Sequence, residues 1–427
     1  MNTGNNINHE RFAHIDLIKL NIFGFGLSTL WACLHSIILP LRLLDFVIVA
    51  QKNTYLDLLI LTGLFLAMIV QPIAGALSDR SNFKWGRRRP YILMGSLLVL
   101  LILPGIGFST NYLTIFTIYC LLQISSNIAQ GPFQGFIPDL VPERRRGTAS
   151  GWRGLLNLIG GVLLIRMIAP LMDRYFIEHE ISGLWVTLGI LAFILSGVLL
   201  TTLITVKERR ATSNLKSSLL PSLYKSFKVD IKARPEFIVF LIACLFVFIA
   251  WGTLMGHMFY FLTDVIELAS PAAATGNLLI VVGTCLLATV YSTGLLCDKV
   301  GRKPIVVSSG FLGGLGIVAL YLSSFISKNF LHIMLSGGIL GICGGAWVSA
   351  QWALATDLVD KGEEARYLGL VNISIAGAGA LSRLTGPVID FFNQVSLNLG
   401  YAVMLLVCFM CFIIGSLLLL RVKTTGQ

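Results

Sequence analysis

The chain has 427 residues, of which 56% are hydrophobic and 12% are charged, and its mean hydropathy is +0.82. Because about a quarter of the residues in soluble globular domains are charged, this composition excludes a soluble protein and indicates a membrane protein. The net charge of +11 would also suit a nucleic-acid partner, but the basic residues lie in short loops between apolar stretches, so we expect no such partner.

Twelve apolar stretches have the length of about 20 residues that a membrane-spanning helix needs. The sequence therefore predicts an all-α membrane protein with twelve transmembrane helices. The stretches lie near residues 19–41, 56–77, 91–109, 112–137, 148–171, 184–206, 236–262, 273–297, 304–325, 330–355, 367–389 and 400–420.

Two basic loops repeat one pattern half a chain apart. The first contains Ser78-Asp79-Arg80 and then Gly86-Arg87-Arg88-Arg89-Pro90, and the second contains Asp298-Lys299 and then Gly301-Arg302-Lys303-Pro304. Repeats of this kind indicate a duplicated transporter fold. We expect two pseudo-symmetric six-helix bundles, 1–206 and 236–427, joined by a cytoplasmic linker at 207–235.

The positive-inside rule predicts the orientation of the chain. With both termini in the cytoplasm, most of the 32 lysines and arginines fall in inner loops or tails, and the outer loops hold Arg42, Lys52, Arg174 and Lys328. We expect a multi-pass protein of the plasma (inner) membrane with both termini cytoplasmic.

The fourth apolar stretch carries four amides, Gln123, Asn127, Gln130 and Gln134, spaced four, three and four residues apart. This spacing places them on one helix face. Hydrocarbon cannot satisfy their donors and acceptors, so the face either lines a hydrated cavity or bonds to neighbouring helices. We favour the cavity wall.

The motif Asn127-x-x-Gln130-Gly131-Pro132-x-Gln134, followed by Asp139-Leu140, resembles the fourth-helix signature of the sucrose-transporter family. That family is a branch of the major facilitator superfamily related to the glycoside-pentoside-hexuronide symporters. The basic loop at 78–90 and the motif Trp31-Ala32-x-x-x-Ser36-x-x-x-Pro40 resemble the same family. The resemblance implies a major facilitator fold and transport of a sugar by alternating access.

Two positions depart from that signature. Gln134 stands where the family has a substrate-binding arginine, and Gln123 stands where it has a proton-carrying aspartate. The family's proton coupling therefore does not carry over to this chain. All 21 acidic residues are predicted in loops or near span ends, with Asp57 at an outer end.

Histidines are the groups within the spans that titrate near neutral pH. His35 and His257 lie toward the outer half of the first and seventh spans, which the resemblance places across the cavity from each other. Either is a candidate carrier of a coupling proton. The alternative, a neutral histidine that only forms hydrogen bonds, stays open.

Aromatic residues within the spans suit a sugar, because its C–H faces stack on flat rings while its hydroxyl groups need hydrogen bonds. Simple packing is the alternative for each. Beside the four amides and the two histidines, the candidate substrate-binding residues are Trp31, Trp251, Tyr260, Trp347 and Gln351.

Arg166 and Arg383 lie about 27 Å above the cytoplasmic start of their spans, near the outer surface. Each is followed seven residues later by an aspartate, Asp173 or Asp390. We expect an outer gate or a structural pairing between each arginine and its aspartate.

The basic loops are expected to form a cytoplasmic gate. The resemblance implies that Asp79 lies near Arg366 at the start of the eleventh span and that Asp298 lies near Thr148. It also implies that Arg87 or Arg88 pairs with Asp139. Setting topology and folding is the alternative role of these loops. The candidate gate residues are Asp79, Arg80, Arg87, Arg88, Asp139, Asp298, Arg302 and Asp357.

The eight cysteines lie in apolar stretches, and the sequence contains no metal-ligand set, catalytic grouping or phosphate-binding loop. We expect no metal, cofactor or enzymatic activity. The predicted function is secondary active transport of a small neutral polar solute, a sugar or glycoside, by a monomer in contact with lipid, with H+ as a candidate coupling ion. The alternatives are a facilitator or exporter of another solute and a non-transporting membrane sensor or assembly factor.

Overall fold

A computed structural model describes residues 14–208, 235–359 and 364–422, apart from the side chains of Asp298 and residues 364–366. These ranges form helices without any strand, and twelve helical spans are long and apolar enough to cross a membrane. The predicted all-α fold with twelve transmembrane helices is confirmed. The spans, numbered α1 to α12, are His14–Leu44, Val49–Arg80, Arg89–Phe108, Tyr112–Leu140, Glu143–Ile177, Ile181–Thr205, Pro235–Asp264, Pro271–Cys297, Arg302–Ser327, Phe330–Asp357, Tyr367–Val395 and Leu399–Arg421.

Several spans are interrupted within their length. The first, α1, contains a π-helical turn at Leu34–Ile38, and π-helical turns are frequent at functional sites. The eleventh, α11, breaks after Ser382, and a new helix begins at Thr385. The two interruptions place His35 and Arg383 where the regular helix is lost.

The two repeated basic loops share a backbone requirement. Gly86 has a φ of +114° in the loop between α2 and α3, and Gly301 has a φ of +92° between α8 and α9. Side chains of L-residues are strained in this region, whereas glycine enters it freely. The glycine of the repeated pattern is thus needed to turn the chain tightly into the next span.

The helices of each half approach closely at small residues. A Cβ atom added to Gly131 of α4 would lie 2.4 Å from the carbonyl oxygen of Gln71 in α2, and one added to Gly95 of α3 would lie 2.6 Å from backbone atoms of α4. Because these neighbours are backbone atoms, they cannot rotate away. The packing of α2, α3 and α4 therefore depends on glycine.

Replacing Gly131 with alanine is expected to lower the free energy of unfolding of the detergent-purified protein by about 1–3 kcal/mol, and with it the melting temperature. The reason is that the new methyl group must push α2 and α4 apart. Gly154→Ala is the matched control, because a Cβ atom at Gly154 meets nothing within 4 Å. Thermal unfolding followed by fluorescence measures both variants. Equal melting temperatures for Gly131→Ala and Gly154→Ala would contradict the packing argument.

Spans α1–α6 form one half of the molecule and α7–α12 the other. The halves meet where α5 packs against α8, where the second part of α11 packs against α2, and where the π-helical part of α1 packs against α7. We call the end of the molecule with the loops containing Gly86 and Gly301 the basic end, and the opposite end the far end. Most of the predicted linker at 207–235 lies outside the described residues.

Candidate functional site

The four amides of α4 divide into two pairs. Gln123 and Asn127 are buried, and the Gln123 side chain donates to the Tyr119 hydroxyl (2.8 Å) and accepts from the Asn127 amide (3.2 Å). Gln130 is half-buried and Gln134 is exposed, and neither forms a side-chain hydrogen bond with the described residues. A cavity-lining role for all four amides, with Gln130 and Gln134 as contacts for a solute, stays a prediction.

A second set of polar groups joins α1 to α4. Nε2 of His35 lies 3.0 Å from the Tyr119 hydroxyl, and Nε1 of Trp31 donates to Ser126 at 3.0 Å. The ring centroid of Trp31 lies 5.2 Å from that of His35 and 5.9 Å from that of Tyr119. The result is a continuous network of aromatic and hydrogen-bonding groups that contains no carboxylate, lysine or arginine.

Tyr119 was not among the residues selected from the sequence. It lies four residues before Gln123, so it extends the face of the amides by one helical turn. That spacing is the signal that could have identified it.

The candidate residues of the second half are mostly buried. Nε1 of Trp347 donates to Oε1 of Gln351 at 3.0 Å, and Nε2 of Gln351 has no partner among the described residues. Trp251 packs against Gly344 of α10. Tyr260 is fully buried and donates to the carbonyl of Pro40 at 2.8 Å, so it joins α7 to α1 in this conformation.

The far end contains a buried charged cluster that crosses between the halves. Asp57 of α2 is only 1% exposed, and its carboxylate lies 3.1 Å from Nε2 of His257 and 3.3 Å from the Arg383 guanidinium. It also accepts from the backbone N–H of Gly386 at 2.7 Å. That N–H belongs to the first turn of the helix after the break in α11, where an anion is favoured.

Asp57 was predicted only as an acidic residue at an outer span end, and the structure buries it between the halves at the far end. A sequence signal existed, since an acidic residue just inside an apolar span needs a partner. The partners lie 200 and 326 residues away, so the signal did not identify them.

A second layer of contacts closes the far end. Asp390 accepts from the side chain of Asn53 (2.8 Å) and from the backbone and hydroxyl of Thr54 (both 2.6 Å). Lys52 pairs with Asp264 at 2.6 Å. These bonds also cross from α2 to the second half, so this conformation is closed at the far end.

The expected pairs Arg166–Asp173 and Arg383–Asp390 do not form. Asp173 accepts from the backbone N–H groups of Ala272 (2.9 Å) and Ala273 (2.8 Å), at the start of α8. Arg166 is exposed beside α8 and has no ion pair among the described residues. Each carboxylate is instead satisfied by donors of the opposite half, which leaves Arg383 free to reach Asp57.

The ion pairs at the basic end stay within one half each. Arg88 pairs with Asp79 (2.8 Å) and with Asp139 (2.6 Å), and Arg87 also pairs with Asp139 (2.5 Å). Burial alone would lower the pKa of Arg87, but its hydrogen bond to Asp139 and the nearby negative charges raise it. The expected pairing of Arg87 or Arg88 with Asp139 is present in this geometry, while its role as a gate stays a prediction.

The expected contacts of the basic loops across the halves, Asp79 with Arg366 and Asp298 with Thr148, stay predictions. Asp79 forms an ion pair with Arg88 of its own half, across the tight loop. Arg302 pairs with Asp357 within the second half, and Arg80 is exposed at the end of α2. The side chains of Asp298 and Arg366 lie outside the described part of the chain.

One further contact at the basic end was not expected. The carboxylate of Glu208, just after α6, accepts from the backbone N–H groups of Arg87 (2.9 Å), Arg88 (3.0 Å) and Arg89 (2.9 Å). It thereby caps the start of α3. Within the ranges that the structure describes, no group of three or more His, Cys, Asp or Glu residues could hold a metal ion.

Twelve spans packed as two sets of six are the arrangement typical of major facilitator proteins. A family model described as "MFS/sugar transport protein" matches residues 25–393, and the chain belongs to this family. The predicted fold and the resemblance to the sucrose-transporter branch are both confirmed.

Similar proteins include the sucrose transport protein SUT1 of Oryza sativa subsp. japonica, 29% identical over 180 residues, which are 35% of this chain and 33% of that protein. The inner membrane symporter YicJ of Escherichia coli is 23% identical over 326 residues, which are 72% of this chain and 66% of that protein. The matches thus span about a third of the rice protein and just under two thirds of the bacterial one.

Solved structures with the same fold include the nucleoside transporter NupG, with a TM-score of 0.72 and 14% identity, covering 96% of this chain and all of that one. A D-xylose-proton symporter has a TM-score of 0.69 and 15% identity, covering 96% of this chain and 98% of that one. At these identities the likeness establishes the fold alone.

Proposed function

We propose that the protein is a secondary transporter that moves a small neutral solute of the sugar or glycoside class across the membrane by alternating access. The observation that carries this proposal is the network of aromatic and hydrogen-bonding side chains formed by Trp31, His35, Tyr119, Gln123 and Asn127. Aromatic faces beside fixed amide and hydroxyl groups suit a ligand that has both C–H faces and hydroxyl groups. Membership of a sugar-transport family supports the same solute class.

The orientation follows from the charge distribution. Because basic loops are retained in the cytoplasm, the basic end is cytoplasmic, the far end faces outside and both termini are inside. The membrane that we propose is the plasma (inner) membrane. The described conformation is then outward-closed. The two halves, 1–206 and 236–427, rock around the site, while the linker at 207–235 joins them in the cytoplasm.

The ion pairs at the basic end favour one conformation over the other. Partly exposed pairs are worth about 0–1 kcal/mol each, and about 1.4 kcal/mol changes a population ratio tenfold. Asp79 and Asp139 are bonded within their half here, and they become available to the second half when the cytoplasmic side closes. Together such contacts set the balance between the two states.

Counterflow into proteoliposomes tests the function. Vesicles preloaded with one member of a panel of sugars, polyols and glycosides are expected to accumulate the labelled solute, and no accumulation with any member would overturn the proposal. Gln130→Ala and Gln134→Ala should weaken the apparent affinity by about threefold to tenfold, the equivalent of one hydrogen bond. Gln394→Ala, an exposed amide at the far end, is the matched control and should leave the affinity unchanged.

A further inference from the structure

His257 is fixed by two acceptors. Its Nδ1 lies 3.0 Å from the carbonyl oxygen of Thr253, and its Nε2 lies 3.1 Å from Oδ2 of Asp57. A carbonyl oxygen can only accept, so Nδ1 must carry a hydrogen. The hydrogen bond at Nε2 then also needs a proton, either on the imidazole or on the carboxyl group of Asp57.

The surroundings of Asp57 place this proton on the histidine. The same carboxylate accepts from the Gly386 N–H at 2.7 Å and from the Arg383 guanidinium at 3.3 Å, and both donors favour the ionised form. If Asp57 carried the proton instead, its carboxyl oxygen would be a weaker acceptor for the N–H of Gly386. The arrangement is therefore an imidazolium between a carbonyl and a carboxylate.

A proton on His257 also offsets a negative charge at the far end. Asp57 pairs with Arg383 and Asp264 pairs with Lys52, while Asp390 has no ion pair among the described residues. A protonated His257 supplies a further positive charge at the same end, where an uncompensated buried carboxylate is costly. Among the ionisable groups of the neighbouring spans, Asp57 contacts His257 directly, His35 and Tyr119 lie near Arg383, and Tyr260 lies near Asp57, Asp264 and Asp390. Lys52 lies over the Tyr260 ring, and Tyr401 donates to Asp264.

The pair can exist only while the far end is closed. Asp57 lies on α2 of the first half and His257 on α7 of the second, and their side chains are 1% and 0% exposed. When the halves separate at this end, water reaches both groups. An imidazole in water gives up its proton near neutral pH.

We propose that the far-end gate is a proton-binding site: closing it captures one proton from the outer solution on His257, between Thr253 and Asp57, and opening it releases that proton. This inference rests on the proposed alternating-access function and adds a ligand to its cycle. By linkage, a state that holds one more proton gains population as the pH falls.

The test is the distance across the far end, measured by electron-spin resonance between labels at Phe108→Cys of α3 and Ile326→Cys of α9, both exposed at that end. The partly exposed Cys120 and Cys285 are replaced by serine. The labelled protein is reconstituted in lipid without solute. In the steep part of the transition, the ratio of closed to open molecules should rise about tenfold per unit fall in pH.

Two variants and one control identify the proton's position. His257→Gln and Asp57→Asn should each abolish the pH dependence, while His332→Gln, an exposed histidine outside the cluster, should retain it. A wild-type distance distribution that is the same at about pH 5.5 and about pH 8 would overturn the proposal whatever the variants do. So would a His257→Gln protein that keeps the wild-type pH dependence.

These outcomes are independent of the transport assay. A pH-dependent gate without counterflow would remove the proposed function and keep the proton site. Counterflow with a pH-independent gate would remove the proton site and keep the proposed function.

Discussion

Neutralising either Asp57 or Arg383 alone is expected to destabilise the closed far end far more than neutralising both. Asp57→Asn leaves the Arg383 guanidinium without its carboxylate, and Arg383→Gln leaves Asp57 without its fixed cation. Breaking a buried ion pair from one side costs about 3–5 kcal/mol, because an uncompensated charge remains. In the double variant no such charge is left between these two positions.

A double-mutant cycle measures this effect. Thermal stability is recorded for the wild type, Asp57→Asn, Arg383→Gln and the double variant, and the double variant should be more stable than the sum of the single losses predicts by about 1 kcal/mol or more. Strictly additive losses would mean that the two residues do not act as a pair. Arg166→Gln is the matched control, because Arg166 is exposed and has no ion pair among the described residues.

Tyr119→Phe is expected to weaken solute binding about tenfold and to lower stability by about 1–3 kcal/mol. The hydroxyl of Tyr119 accepts from Gln123 and lies within hydrogen-bonding distance of His35, so its loss leaves two polar groups of the interior unpaired. Both groups belong to the proposed solute site. Their orientation should therefore be lost along with the hydrogen bonds.

Counterflow affinity and thermal unfolding are measured for Tyr119→Phe beside Tyr321→Phe. Tyr321 is 41% exposed and stacks on Phe325, so loss of its hydroxyl should change neither quantity. An unchanged affinity for Tyr119→Phe would mean that the hydrogen-bond network of Tyr119 is not part of the solute site.

The fold was predictable because its signals are local. An apolar stretch of about 20 residues in a chain of this composition has few alternatives to a transmembrane helix. The duplicated loop was equally readable, since Gly86 and Gly301 are needed for the same turn. Each of these signals can be recognised from the residues of one short segment, without knowing how distant spans pack.

The far-end cluster was not predictable, because its members come from three spans far apart in the chain. Arg383 and Asp390 are seven residues apart, which suggested that they pair, but the break after Ser382 and the donors of Asn53 and Thr54 gave each a different partner. Which donor each carboxylate contacts depends on how the two halves pack against each other. Neither composition nor spacing carries that information.

The amide row of α4 was only partly interpretable. Its spacing predicts one face for the four side chains, yet Gln123 and Asn127 bond within α4 while Gln130 and Gln134 form no such bond with the described residues. The difference arises from Tyr119, which supplies a hydroxyl at one end of the row. Tyr119 lies on the same helix face, one turn before Gln123, and the search for amides alone did not include it.

The contact of Glu208 with three consecutive backbone N–H groups has a practical consequence for dividing the molecule. It joins the segment after α6 to the start of α3 by hydrogen bonds within the first half. The packing of these two spans at the basic end therefore does not require the second half. A cut placed beyond Glu208 should give two co-expressed fragments that reassemble, whereas a cut before it should leave α3 uncapped.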